Sequence, residues 1–471
     1  MRSTLTAELL LSIASYLDSY TDTLRLASCC RTFYPLLLPK VFTSLDLIEH
    51  RSGHLSHLVH TLALKPALAQ EVRTLRISHG WRWTSGVRYE QEVILPVLKS
   101  VLGPDDDLSR RDWELQSGEN DDAWTVLLLA LLPNLKDLVL QVDAISKCTL
   151  EWMAMIAEKE SPGLTKLRHL TVVCSDVDGG LSSSHFLPIL RLPSLQSFCG
   201  HMICDGGSSD EEYLEDQEFD AASYVPDNVG YSNITHIHLQ SSCSRRGFAN
   251  LIGASKSLKS FTLEHSENPN YADDGAMYAS RYYPPLQRHR ETLQTLTLTD
   301  ERTNKYSAYT NYNYDYVGSF AAFSALKELR LQIPHILDWD PTWMNPHEVS
   351  NNRFSDVLPL SLESLILDAL EIEHTNELAG LFKRLFLRRK YRCPNLTYLE
   401  VKANWMHVHQ SSEESQAIPR PIPAMYEEFA DFKVKLESLC SAVGVRFRLR
   451  DLHIEDIIEK NRSYGFSSDV L

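Results

Sequence analysis

The chain has 471 residues, 43% hydrophobic and 23% charged, a globular balance that excludes wholesale disorder. Its 62 acidic residues outnumber the 46 basic ones for a formal net charge of -16, which argues against a general nucleic-acid binder because the summed field repels a phosphate backbone. Nine scattered cysteines predict a reducing compartment, and the longest wholly apolar run, Val126 to Leu132, falls far below the ~20 residues that span a bilayer.

From the N-terminus, "LTAELLLSIASYL" places Leu5, Leu9, Leu10, Ile13, Tyr16 and Leu17 at three- and four-residue spacings, which predicts a helix with a broad apolar face. Glu8 and Asp18 interrupt the early leucines, so no secretion signal is expected, and the chain is placed in the cytoplasm, the nucleus or both, with no membrane partner. A second helix is expected to be capped by Thr21 and Asp22 and to carry Leu24, Leu26, Ala27 and Cys30. A third starts near Pro35, with Pro39 helping to end it. Three short helices in under fifty residues have more apolar surface than one small bundle can hide.

Taken together, residues 1–47 resemble an F-box, through Leu5, Glu8, Leu9, Leu10, Ile13, Tyr16, Leu17, Leu24, Leu26, Cys30, Arg31, Phe33, Pro39 and Phe42. Thr6 stands where members usually have proline. The resemblance implies docking on a Skp-family adaptor, and through it on a cullin scaffold, by Leu5, Thr6, Leu9, Leu10, Ile13, Leu17, Leu24, Leu26 and Cys30. Residues 48–71 look like the helical connector found after F-boxes in leucine-rich-repeat members of filamentous fungi.

Past residue 70 a Leu-x-x-Leu-x-Leu phrase recurs: "VRTLRI", "LKDLVL", "LRHLTV", a poor "LQSFCG", then "ITHIHL", "LKSFTL", "LQTLTL", "LKELRL", "LESLIL" and "LTYLEV". From Leu135 onward the steps run from 24 to 39 residues, which is long and uneven. Alternation within each phrase predicts a short strand burying one face, and stretches such as "GLFKRLFLRRKY" have helical apolar spacing. A strand and a helix cannot bury a face alone, whereas stacked copies share one core.

Over residues 72–404 the chain resembles degenerate leucine-rich repeats, which implies an α/β architecture: an irregular solenoid with a curved sheet and outer helices behind the three-helix F-box. The asparagine usual three residues after the last leucine is present only as Asn404, its place elsewhere taken by Asp143, Ser175, Ser242, Ser266, Glu301, Pro334 and Leu370. The segments Asp105 to Asp122, Asp205 to Asp220 and Lys305 to Gly318 read as solvated insertions, and "FKRLFLRRKYR" from Phe382 as a solvated helix face. Residues 405–423 read as a linker and 424–471 as a helix–strand cap.

Residues between the buried leucines face a target: His169, His236, His238, Glu264, Glu328, Arg330, Tyr398, Glu400 and Lys402 are the candidates for holding a protein substrate. No phosphate loop, nucleophile elbow or zinc-protease motif is found, and Cys199, His201 and Cys204 lack a second ligand pair. No catalytic residue, metal or cofactor is expected. The resemblance implies a non-catalytic substrate receptor of a ubiquitin ligase, acting by proximity. A repeat scaffold that binds proteins without recruiting a ligase is the alternative.

Overall fold

Each Leu-x-x-Leu-x-Leu phrase forms a strand because its alternate residues can be dry on one side only when a neighbouring copy lies alongside. In β3 (Asp137–Val142), Leu138, Leu140 and Val142 are buried while Asp137, Val139 and Gln141 are half-exposed. In the computed structural model the chain divides into two units, Met1–Cys199 and Gly200–Leu471. The structure describes residues 6–17, 20–29, 31–48, 54–78, 90–101, 121–142, 148–158, 163–175, 180–205, 229–244, 246–266, 277–300, 316–337, 354–370, 375–403 and 423–451.

The first unit opens with α1 (Ala7–Ser15), α2 (Tyr20–Ser28) and α3 (Phe33–Phe42). Ala14, Ala27 and Leu37 meet in their centre, with Leu26 and Phe33 packed against them. Pro39 does not end α3. It lies inside the helix, which continues to Phe42 so that Val41 is buried as Leu37 is. Thr21 and Asp22 sit in the first turn of α2 rather than ahead of it, and Asp22 pairs with Arg25 at 3.1 Å.

After α3 the chain makes a strand that the repeat pattern had not included, β1 (Ser44–Leu47). It pairs in parallel with β2 (Thr74–Ser78), Ser44 opposite Thr74 and Leu47 opposite Ile77. Between them lie α4 (His54–Leu64) and α5 (Pro66–Ala69). β2 pairs in parallel with β3, and β3 with β4 (His169–Cys174). Beyond them come the short β5 (Leu181–Ser182) and β6 (Ser197–His201), which neighbours β4.

Behind this sheet, α6 (Gln91–Val101), α7 (Asp121–Ala130) and α8 (Cys148–Glu158) stack with α4. α7 touches α4, α6 and α8, so it is buried nearly all round, as its continuous "VLLLA" requires. Its first residues, Asp121 and Asp122, correct the expectation of a solvated acidic loop ending at Asp122, because both are buried. The Asp122 carboxylate accepts from Cys148 N (2.7 Å), Thr149 N (3.0 Å) and the Thr149 hydroxyl, satisfying amides at the start of α8 that have no partner within the helix. The remainder of that segment, residues 105–120, lies outside the described residues, as do 206–220, 305–315 and 404–422 of the other insertions and linker.

In the second unit β7 (Ile203–Asp205) pairs with β8 (His236–Ser244), and β8 with β9 (Ser260–His265), β10 (Thr295–Asp300), β11 (Glu328–Gln332), β12 (Ser364–Leu370), β13 (Tyr398–Ala403) and β14 (Arg446–Asp451) in that order, all parallel. The intervening helices are α9 (Ala249–Ala254), α10 (Tyr283–Gln287), α11 (Ile333–Ile336), α12 (Phe354–Val357), α13 (Thr375–Leu387), α14 (Arg389–Arg392) and α15 (Pro423–Ala442). α13 turns Leu378, Leu381, Phe382, Leu385 and Phe386 inward, so the basic run from Phe382 is solvated on one side only. Arg389 donates to the carbonyls of Leu396 (2.7 Å) and Val443, and Arg392 pairs with Asp356 at 3.0 Å.

A backbone device repeats in both units. At the entry to β2, β3 and β4, the first amide of the strand and the one before it donate to one carbonyl of the preceding repeat at 2.7–3.1 Å: Arg73 and Thr74 to Thr43, Lys136 and Asp137 to Arg73, Arg168 and His169 to Lys136. The second unit repeats it from Thr235 through Lys259, Gln294, Lys327 and Glu363. At or just past the strand ends, hydroxyl and amide side chains reach back to the preceding repeat. Ser175 Oγ donates to Val142 O (3.0 Å), Thr299 Oγ1 to Leu263 O (3.3 Å) and Gln332 Nε2 to Asp300 O (2.9 Å).

Candidate functional site

Two surfaces follow from this framework. The first is on the N-terminal helices. Helix α1 buries Leu10 and Ala14 and turns Leu9 (53% exposed), Ile13 (46%) and Tyr16 (82%) to solvent, with Leu11, Leu24 and Tyr34 exposed as well. Leu9, Leu11 and Ile13 of α1 and Tyr16 at its C-cap are left outside because the core beneath them is small, filled largely by two alanines and one leucine. Thr6 is the N-cap of α1, its hydroxyl accepting from Leu9 N at 3.4 Å. Of the residues read as adaptor contacts, Leu10 is buried, Leu17 and Leu26 are half-buried, and Thr6, Leu9, Ile13 and Leu24 are exposed. Leu5 and Cys30 lie outside the described residues.

The second surface is the sheet face opposite the buried leucines. In the first unit His169 is exposed there, 3.9 Å from Asp137 across β3 and β4. In the second unit His236 shares a hydrogen bond with Thr235 (2.8 Å), and His238 lies 3.5 Å from Glu264. Glu328 is exposed, and Arg330 donates to the buried Asp368 at 2.8 Å. Arg330 thereby links β11 to β12, and its removal would leave a carboxylate without its charge partner.

Tyr398, Glu400 and Lys402 are differently placed from the others. Glu400 and Lys402 are only 4% and 6% exposed, because β14 stands in register beside them with Arg448 opposite Glu400 and Arg450 opposite Lys402. Glu400 accepts from the Tyr398 hydroxyl and pairs with Arg450 at 3.4 Å. Burial, and after it the Glu400 carboxylate, holds the Tyr398 phenol above its ordinary range. The Arg446 guanidinium lies 4.7 Å from the centre of the Tyr398 ring, a cation–π contact.

Thus the accessible groups at this end of the sheet include Arg446 and Arg448 of β14, which sequence reasoning had assigned to a cap rather than to a binding face. The alternation in "RFRLRD" was their signal.

The described residues contain no cluster of three His, Cys, Asp or Glu side chains able to hold a metal, and no helix among them is long and apolar enough to cross a membrane. What the two surfaces offer is shape, apolar area and mixed charge, the means of binding a macromolecule.

None of the curated proteins compared matches the chain. Residues 163–419, more than half of its length, match the leucine-rich repeat domain family, a protein-interaction fold. The strands β2 and β3 precede that span yet use the same amide-to-carbonyl device. By this match and by its stacked parallel strands, the chain belongs to the leucine-rich repeat family.

Proposed function

We propose that the protein is a substrate receptor of a cullin-RING ubiquitin ligase, its N-terminal helices acting as an F-box that docks on a Skp-family adaptor and its repeats holding a target protein. The observation that carries this reading is the outward row of Leu9 and Ile13 on α1 and Tyr16 at its C-cap, with Leu24 of α2 exposed as well. Apolar side chains gathered in this way are covered by a protein partner more readily than by water. The sheet face supports the other half of the reading, since its charges are of both signs and largely paired with one another, which suits a protein target better than nucleic acid. On this proposal the chain performs no chemistry, works in the cytoplasm or nucleus, and accelerates transfer by holding target lysines near a charged enzyme.

The test is a titration of the full-length protein with a purified Skp-family adaptor, alongside Leu9→Asp and Ile13→Asp. Both positions are exposed, so the variants keep the fold, and a charge placed in an apolar interface is expected to weaken binding at least about tenfold, roughly 1.4 kcal/mol. Wild-type protein that ignores the adaptor would remove the receptor reading and leave a repeat scaffold. Binding that survives both substitutions would move the docking face off α1.

A further inference from the structure

We infer that Cys204 and Cys243 form a modification site, a dithiol that a hydroperoxide converts to a disulfide between β7 and β8. The two residues are register partners on the parallel strands, and their sulfur atoms are 3.0 Å apart, about 1 Å beyond the ~2.05 Å of a formed bond. Neighbouring strands run ~4.8 Å apart, within the range of Cα separations that a disulfide spans, so bond formation needs side-chain rotation and no backbone rearrangement.

The backbone around the thiols is fixed from both sides. Asp205, the next residue, accepts from the Ser244 hydroxyl and from Phe248 N, each at 2.9 Å, and Ser244 follows Cys243 directly. The order of events follows from exposure. Cys243 is half-buried and meets the oxidant first, whereas Cys204, 2% exposed, is reached only from Cys243.

The Cys243 sulfur attacks one peroxide oxygen, the O–O bond breaks, and the other oxygen leaves as water, giving a sulfenic acid. The Cys204 sulfur then attacks the Cys243 sulfur, the S–O bond breaks, and the hydroxyl leaves as a second water with the Cys204 proton. Two thiols are oxidised and one hydrogen peroxide is reduced to two waters. A dithiol reductant reverses the product by exchange. The bond would tie together residues 39 apart in sequence, anchoring β7 and β8 at the two ends of the segment between them. It does not depend on what the N-terminal helices bind.

The test is a peptide map of the full-length protein after graded hydrogen peroxide, with remaining thiols alkylated before digestion. The expected result is a Cys204–Cys243 cross-linked peptide that appears before the other cysteines react, loss of the mass of one hydrogen molecule, and full reversal by dithiothreitol. Cys204→Ser should halt Cys243 at the sulfenic acid, which dimedone traps. Cys204 and Cys243 both still alkylated while other cysteines oxidise, Cys243 bonded to a different cysteine, or cross-linking seen only in urea would each overturn the proposal. The wild-type map alone decides it should the serine variant fail to fold.

Discussion

His289 is buried with both ring nitrogens engaged. Its Nδ1 accepts from Leu258 N at 3.3 Å, so the proton sits on Nε2, which donates to the Ile252 carbonyl at 3.1 Å. Burial above all holds the ring below the ordinary histidine range, with Arg288 adding to the effect and the Ile252 carbonyl opposing it. A group that protonates more readily unfolded than folded contributes its full stability above the unfolded pKa, ~6.5, and loses it as pH falls from there toward the lower folded value. Urea unfolding at about pH 7.5 and about pH 5.5 should therefore show a larger loss for wild type than for His289→Gln, whose amide can offer the same acceptor and donor without titrating. Backbone conformation makes two further residues informative. Ala369, at φ 61° in the bulge of β12, occupies a left-handed position that costs a side chain ~1 kcal/mol, so Ala369→Gly should raise the unfolding midpoint by a fraction of that once unfolded-chain entropy is counted. Gly247, at φ 68°, tolerates no such exchange in reverse, since an added Cβ would lie 2.2 Å from the Arg281 carbonyl oxygen, and Gly247→Ala should cost more than ~2 kcal/mol in the same assay.

At the scale of elements, the Asp122 carboxylate joins the start of α7 to the start of α8, so its loss acts on two helices at once. Asp122→Ala should lower stability by ~2–3 kcal/mol in chemical denaturation, with Asp122→Asn recovering only part of it because amide oxygens accept more weakly than a carboxylate. This cap also marks the limit of what periodicity can reveal. The strands β3, β4 and β8 to β13 were legible because every second residue is apolar, and α13 because its apolar residues recur at three and four. β1 was not, since "SLDL" supplies one alternating pair inside a stretch that already reads as helical. Asp121 and Asp122 looked solvated because acids in a run of acids carry no local sign of a partner 26 residues away. Likewise the outward positions of Glu400 and Lys402 followed from alternation, whereas their burial depends on which strand lies beside them.

Among the described residues of both units, the recurring element is a strand entered by two amides that meet one carbonyl, and the helices between vary from one turn to several without disturbing that meeting. Such stacks need a closing element, because the last strand otherwise presents bare amides and an uncovered core. In the second unit β14 covers β13, and α15 buries Phe429, Phe432, Leu436 and Cys440, packing beside α13. Ending the chain at Ala403 should therefore give a protein that aggregates or unfolds at lower temperature, readable by light scattering during a thermal ramp. At the other end the same device begins at Thr43, the C-cap of α3, whose carbonyl takes the amides of Arg73 and Thr74. Helix α3, against which α1 packs, thus runs directly into β1, which pairs with β2. On the proposed receptor reading, a target held by β2 to β4 would be presented to the adaptor across this direct junction. On the same reading, selection among a target's lysines would depend on where each one points more than on how far a tether lets it wander.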